Sequence, residues 1–314
     1  MAESLVEPIE PTSLRGRYGT QNLVVLAVQA LAWFALLWTL NQPLGFPARL
    51  AVLVLFCWTM QGVFSLMHEY FHQNAHRDPR VNYAIGLVAS TLFGTSATLH
   101  RVNHWGHHVR NRAEAEQGDF ILPGETALRK IALYYFAVGG GLWLSGVVFP
   151  IASLVIPYRA VAFLSSDRRL NTYSAAFEQF RREDWTAMRV EAVLLVAFWA
   201  VVPWLVGWSW STLAQAYAAF AFSWSSLQWV YHLRTPLHPV EGAYNLRLPT
   251  PVRWLFLNFN YNLTHHRRPA LPWQDLFAAS DPAETQPLWY RWLRMVEPPV
   301  RKPADLTYLD KTYF

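Results

Sequence analysis

The sequence predicts an all-α integral membrane protein with two transmembrane hairpins, additional interfacial or re-entrant helices, and a cytosolic histidine-rich cap. Of its 314 residues, 53% are hydrophobic and 15% are charged, whereas a soluble domain carries about 25% charged residues. Sixteen tryptophans and fourteen tyrosines suit a protein with two membrane–water interfaces, where amphipathic rings are enriched. The single cysteine, Cys57, excludes an internal disulfide framework.

Four stretches are predicted to span the bilayer, because each is apolar over about the 20 residues that a bilayer requires. Asn22–Leu40 and Arg49–Met67 form the first hairpin, joined by a turn rich in proline and glycine. Arg189–Trp208 and Ser211–Tyr231 form the second hairpin. Arg189 and Glu191, at the start of this hairpin, are interpreted as marking the membrane interface.

Two further apolar stretches do not fit a simple span. Val81–Leu99 is diluted by Thr, Ser, Gly and Asn, so it could lie in the interface or enter the membrane partway. Ile131–Leu164 is interrupted by glycines and prolines, which break helices. It is predicted to form either a tight hairpin or a helix in the membrane plane.

The distribution of positive charge predicts the topology. Ten basic residues neighbour the histidines: Arg77, Arg80, Arg101, Arg110, Arg112, Arg129, Lys130, Arg234, Arg267 and Arg268. The two hairpin turns carry essentially no Lys or Arg apart from Arg49. The positive-inside rule therefore places the histidine clusters and both termini in the cytoplasm, in an inner or plasma membrane. His108 and His232 can share that side only if Ile131–Leu164 returns to the side that it left.

The eleven histidines are concentrated in short clusters with helical spacing. His68 and His72 are four residues apart, so on a helix they share one face. His104, His107 and His108 follow the same spacing, and the adjacent pair points in two directions. His265 and His266 repeat this arrangement near the end of the chain.

This number of imidazoles predicts two metal ions. Imidazole-rich sites suit iron, zinc, copper or nickel, and a catalytic zinc uses only three protein ligands. A redox metal is favoured over zinc because the site opens onto a membrane, where the substrate is a hydrocarbon. Breaking an unactivated C–H bond requires an oxidant derived from O2 at iron.

The motifs HEYFH at 68–72, HRVNHWGHH at 100–108 and NLTHH at 262–266 together resemble the three histidine boxes of the membrane fatty acid desaturase superfamily. The similarity covers roughly residues 68–273. It implies a mushroom-like helical fold with a cytosolic diiron centre. It also implies O2-dependent desaturation or hydroxylation of acyl chains or other lipids. The implied iron ligands are His68, His72, His104, His107, His108, His232, His265 and His266.

The resemblance also implies roles for three other polar residues. Gln228 matches a position that can hold an iron-bound water. Asn262 stands where many members have a histidine, which leaves one metal with a weaker or open position. Asp119 would orient an imidazole by accepting its N–H. His76, His100 and His238 are interpreted as structural, although His76 or His100 could compensate for Asn262.

The chain is predicted to divide into a cytosolic lead-in at 1–21, a membrane catalytic domain at 22–276 and a cytosolic tail at 277–314. The sequence has no haem, flavin or ferredoxin motif, so a separate electron donor is expected, either a ferredoxin or a cytochrome b5-like protein. The expected substrate is a lipid or fatty acyl chain, and no nucleic acid is expected.

The same pattern of histidines allows other functions. Related family members decarboxylate free fatty acids to terminal alkenes, or ketolate or hydroxylate carotenoids. A histidine-dependent metal or proton transporter is the alternative from another class. Transporters place ionisable groups inside their spans, whereas the spans predicted here are nearly free of them and the histidines lie at their ends.

Overall fold

The computed structural model describes residues 14–160 and 180–307, and this part of the chain is mainly helical. The helices are α1 Gly19–Leu40, α2 Phe46–Phe71, α3 Pro79–Phe93, α4 Ala97–Arg110, α5 Ala127–Phe136, α6 Leu142–Ser153, α7 Arg182–Val206, α8 Trp210–His232, α9 Thr250–Leu255, α10 Asn262–Arg267, α11 Trp273–Ala279 and α12 Leu288–Arg294. Four short strands are β1 Phe120–Ile121, β2 Asn245–Arg247, β3 Thr285–Pro287 and β4 Val300–Arg301.

Four helices in the described ranges are long and apolar enough to cross a membrane: α1, α2, Ala127–Ser153 and α7. Three of them contain the predicted spans Asn22–Leu40, Arg49–Met67 and most of Arg189–Trp208. The fourth predicted span lies within α8, which has 23 residues but is less apolar than these four. Helix α8 packs against α1, α2, α6 and α12, and Trp224, Ser225 and Ser226 on it are buried.

The segment predicted at Val81–Leu99 forms two helices. Gly94 ends α3 with a φ of 93°, a left-handed conformation that glycine adopts at little cost. Ser96 then begins α4, because its side chain accepts a hydrogen bond from the amide of Leu99 at 3.0 Å. The turn at 94–96 therefore sets the direction of the helix that carries the second histidine cluster.

The segment predicted at Ile131–Leu164 contains a helix that is broken in the middle. Helices α5 and α6 are separated by a π-helical stretch, Ala137–Gly141, in which Gly140 has a φ of 124°. A Cβ added at Gly140 would lie 3.3 Å from the Cβ of Ala221 on α8. The break therefore occurs where the segment packs closely on α8. Residues 161–164 of the prediction lie outside the described residues.

The two ends of this broken helix lie on the same side of the α7–α8 hairpin. Tyr134 in α5 packs on Trp229, in the last turn of α8, with ring centroids 5.4 Å apart. Phe149 in α6 packs on Trp185, in the first turn of α7, at 5.7 Å. Since α7 and α8 are joined at residues 207–209, these two turns lie at one end of the hairpin. Length and composition alone would allow Ala127–Ser153 to span, but these contacts describe a segment that turns back.

The C-terminal residues pack onto the rest of the protein. Strand β3 pairs in parallel with β2, and β4 pairs in parallel with β1. The hydroxyl of Tyr134 donates a hydrogen bond to the carbonyl of Met295 at 2.8 Å. The described part of 277–314 thus forms a continuous structure with the histidine-bearing end of the helices.

Candidate metal centre

Eight histidines from distant parts of the chain form two neighbouring groups. The first group is His68, His72, His104, His108 and His265, and the second is His107, His232 and His266. Within each group the potential ligand atoms all lie within 4.8 Å of one another. These eight are the histidines implied as iron ligands by the resemblance. The structure brings them together, and ligation itself stays a prediction.

Helical spacing explains how three short segments supply both groups. In α4, His104 and His108 are one turn apart and join the first group, whereas His107 points to the second group. In α10, the adjacent residues His265 and His266 diverge in the same way. Helices α4 and α10 therefore each contribute to both groups. This shared support fixes the distance between the two groups.

The ring nitrogens of the first group face one another. Nε2 of His104 lies 2.7 Å from Nε2 of His72 and 3.0 Å from Nε2 of His108. Nε2 of His108 also lies 3.0 Å from Nε2 of His265. An imidazole nitrogen carries one proton at most, so hydrogen bonds cannot satisfy all these contacts. Nε2 of His68 is buried with no hydrogen-bond partner among the described residues. A cation shared by these lone pairs fits this donor set.

The second group has three imidazoles, and the Nδ1 atoms of two of them are hydrogen-bonded to oxygen atoms outside the group. Nδ1 of His107 lies 2.7 Å from Oε2 of Glu116. Nδ1 of His232 lies 2.7 Å from the carbonyl oxygen of Gly242. Each partner accepts the Nδ1 proton and leaves Nε2 free to bind a metal, the usual arrangement at metal sites. His266 is buried, and both its ring nitrogens have no partner in the described chain.

Burial favours the neutral form of five of the site histidines, His72, His104, His108, His265 and His266. It lowers the pKa of His104, His108, His265 and His266 well below the ordinary value, and neighbouring imidazoles add to the effect. Burial lowers the pKa of His72 to about 3, and the charge of Arg15 acts in the same direction. Neutral imidazole is the form that binds metals, so these residues are ready to act as ligands at neutral pH.

Asp119 does not have the predicted role. Its carboxylate forms a two-pronged ion pair with Arg112, at 2.8 and 2.9 Å, and both side chains are 1% exposed. It also accepts a hydrogen bond from the amide of Arg234 at 2.7 Å. Glu116, in the short turn that follows α4, binds the imidazole of His107 instead. Three residues further on, the chain has turned away from the histidines to begin β1.

Gln228 and Asn262 each present an orphaned polar atom. Gln228 lies one turn before His232 in α8, and its Nε2 is buried with no partner among the described residues. Asn262 begins α10, one turn before His265 and His266. Its Oδ1 is also buried with no hydrogen-bond partner among the described residues. Buried polar atoms normally have a partner. Both amides therefore fit a role in binding water or another polar ligand near the histidines.

His76, His100 and His238 lie outside both groups. Nδ1 of His100 lies 3.1 Å from Oγ1 of Thr95. Nδ1 of His76 accepts a hydrogen bond from the amide of Asp78 at 3.0 Å. Nδ1 of His238 accepts hydrogen bonds from the amides of Val240 and Glu241. These contacts agree with structural roles.

Glu191 positions α4, a role that the sequence interpretation missed. It is buried at 2% exposure, inside α7. Oε1 accepts hydrogen bonds from the hydroxyls of Tyr83 and Thr98, at 2.8 and 2.7 Å. Oε2 accepts from the hydroxyl of Ser96 and from the amide of Thr98. An acidic residue within an apolar stretch is the sequence signal for such a role, because burying an unpaired charge there is costly.

A family model described as "Fatty acid desaturase" matches residues 43–296 of the chain. This range includes both histidine groups, Glu116, Glu191, Gln228 and Asn262. A search of curated proteins finds no match.

Proposed function

Because the chain belongs to the fatty acid desaturase family, we propose that it is a membrane diiron oxidase that uses O2 to desaturate or hydroxylate a fatty acyl or other lipid chain. The observation that carries this proposal is the convergence of eight histidines into a group of five and a group of three. Two neighbouring groups of imidazoles, placed beside long apolar helices, suit two redox metals that act on a hydrocarbon.

The donor set supports a ligand role for each group. The five histidines of the first group would hold one iron. His107, His232 and His266 would hold the other, with Gln228 and Asn262 beside it. When bound, the two irons supply the activation of O2. The second group supplies fewer imidazoles than the first, so it would leave more room for water beside its iron.

Aromatic rings pack against His68 of the first group. The ring of His68 lies 4.9 Å from the ring of Phe259 and 5.9 Å from that of Phe71. Phe64, one turn before His68, packs on Trp224 at 5.1 Å. These apolar rings would limit the access of water to the centre and would offer an acyl chain a surface of matching chemistry.

The proposal includes the orientation in the membrane. The histidine-bearing end and both termini would lie in the cytoplasm, in an inner or plasma membrane, because the basic residues concentrate there. Helices α1, α2, α7 and α8 would span the bilayer. The segment Ala127–Ser153 would enter the membrane from the cytoplasmic side and return to it, as the contacts of α5 and α6 with α8 and α7 favour. A separate protein would deliver the electrons.

Metal analysis and lipid profiling test this function together. We expect the purified protein to contain about two irons per chain. Lipids from a host that expresses the protein should gain a species lighter by two hydrogens or heavier by one oxygen. The variant His107→Ala should remove this product while the protein remains folded, and His238→Ala is the matched control. Zinc alone in the purified protein, or unchanged lipids in the host, would contradict the proposal.

A further inference from the structure

Trp105 is an exposed aromatic residue that touches the first histidine group. It lies on α4, between His104 and the pair His107–His108, and is 40% exposed. Its ring centroid is 5.3 Å from that of His72 and 6.5 Å from that of His108. Its indole N–H donates a hydrogen bond to the carbonyl of Phe71 at 3.0 Å, which fixes the ring. Trp105 thus connects the protein surface with a proposed iron ligand through direct contact.

A basic cleft opens beside this tryptophan. It has a volume of about 740 Å³ and is lined by Arg15, Tyr70, Gln73, His76, Arg77, Pro79, Asn82 and Arg101. No carboxylate lines it among the described residues. Arg15 donates a hydrogen bond to Gln73, and Arg77 is exposed with no acidic partner in the described chain. The cleft therefore carries excess positive charge.

Arg101 connects the basic cleft with Trp105. A second cleft of about 450 Å³ is lined by Arg101, Val102, Trp105, Arg181, Glu183 and Asp184. Arg101 contributes to both clefts and pairs with Asp184 at 2.7 Å. The charges of the second cleft are mixed, so the net positive charge lies in the first. We call the surface formed by Arg15, Arg77, Arg101 and Trp105 the Trp105 surface.

We infer that the Trp105 surface docks an acidic one-electron carrier protein, and that Trp105 is the residue through which electrons reach the first histidine group. The inference rests on the proposed function. Positive charge next to the site attracts an acidic partner and orients it. Electron tunnelling slows steeply with distance, and Trp105 spans the layer between solvent and His72. Trp105 is therefore a positioning and conducting residue, which does not touch the substrate.

The electron balance requires two dockings per turnover. Hydroxylation combines the substrate RH with O2, two electrons and two protons to give ROH and water. Desaturation uses the same O2, electrons and protons, removes two hydrogens from the substrate and gives two waters. The carrier supplies both electrons, one at each docking, and its own metal centre is oxidised by one electron each time.

The docking step is tested by a binding measurement on the full chain, loaded with iron and held in detergent. The probes are a plant-type [2Fe–2S] ferredoxin and a cytochrome b5, both acidic. We expect at least one to bind with an affinity that falls as salt rises from about 20 to about 500 mM. Arg77→Glu should weaken that binding roughly tenfold. Arg247→Glu changes the net charge equally at an exposed site outside the cleft and should leave binding unchanged.

The conducting role is tested by stopped-flow oxidation of the pre-reduced carrier. Trp105→Leu should slow this reaction roughly tenfold or more at saturating carrier, with unchanged iron content. Reduction of the same variant by dithionite, a small reductant that needs no docking, should be unaffected. Trp105→Phe should recover part of the rate, because it keeps an aromatic ring. Trp254→Leu, at a 59% exposed tryptophan in α9, is the control.

The outcomes separate this inference from the proposed function. If neither probe shows salt-dependent binding, if Arg77→Glu binds normally, or if Trp105→Leu accepts electrons at the normal rate, the inference is wrong. The proposed function would survive each of these results if iron and oxidised lipid are found. Conversely, absence of iron or of lipid oxidation refutes the function, whereas the binding measurement still reports on the surface.

Discussion

The carboxylate of Glu191, inside α7, accepts a hydrogen bond of 2.9 Å from the backbone amide of Thr98, in the first turn of α4. A negative charge is favourable at a helix N-terminus, and this one comes from a different helix. Tyr83 of α3 binds the same carboxylate. Glu191 therefore ties together three helices and fixes the start of the helix that carries three site histidines, His104, His107 and His108.

Replacing Glu191 should destabilise the protein and loosen the metal centre. Glu191→Ala leaves four hydrogen-bond donors without their acceptor, three of them on the buried residues Ser96 and Thr98, and we expect a loss of about 2–4 kcal/mol in stability. Its thermal midpoint in detergent and its iron content should both fall. Glu183→Gln, at an exposed position in the first turn of the same helix, is the control and should change neither. A normal midpoint in Glu191→Ala would contradict the anchoring role.

The adjacent histidines of α10 should affect different metals. His265 belongs to the first group and His266 to the second. We therefore expect His265→Ala and His266→Ala each to lower the iron content from about two to about one per chain, with the remaining iron giving a different Mössbauer spectrum in each variant. Identical spectra in the two variants would show that the groups are not separate sites.

Replacing Glu116 should mainly weaken metal binding, whereas replacing Asp119 should mainly destabilise the protein. Glu116→Gln weakens the acceptor that orients His107, and we expect metal affinity at the second group to fall about 10–100-fold, with little change in the thermal midpoint. Asp119→Asn leaves Arg112 buried beside a neutral partner and should cost about 3–5 kcal/mol. Titration of the metal-free protein with Fe²⁺ and thermal melting together distinguish the two effects. Equal loss of affinity in both variants would refute this division of roles.

The break between α5 and α6 should depend on Gly140. Its φ of 124° is strained for any other residue, and an added methyl group would press against Ala221. We expect Gly140→Ala to cost about 1–3 kcal/mol. Gly139→Ala is the matched control, since a Cβ there meets nothing within 4 Å, and it should be neutral or slightly stabilising. Thermal melting measures both, and equal midpoints would mean that the break does not require the glycine.

Helical periodicity accounts for the part of the site that could be predicted. The spacing of His68 and His72, and the divergence of His107 from His108, follow from residues per turn alone, so two metals could be predicted before any coordinates. The division into five and three could not, because it depends on how α2, α4, α8 and α10 are placed relative to one another. Residues as distant as His108 and His265 contact each other in the fold.

Side chains that support the site were harder to predict. Glu116 and Asp119 are both acids just after the second histidine cluster, and only the turn between them decides which one faces His107. From the sequence, Glu191 is indistinguishable from a residue at the membrane interface. Only the fold shows that residues of α3 and α4 cover it. The basic residues likewise predict a charged end of the molecule, and only the fold places Arg77 in one cleft with Arg101, which also lines the cleft of Trp105.

The sequence by itself determined that this protein is helical, apolar and rich in imidazoles at the ends of its helices, because hydrophobicity and helical spacing are local properties of the chain. The tertiary structure decided which histidines share a group, which acid orients them, that residues 127–153 turn back at Gly140, and that a tryptophan joins the surface to His72. These features depend on contacts between segments far apart in the chain, and such contacts are set by the packing of whole helices.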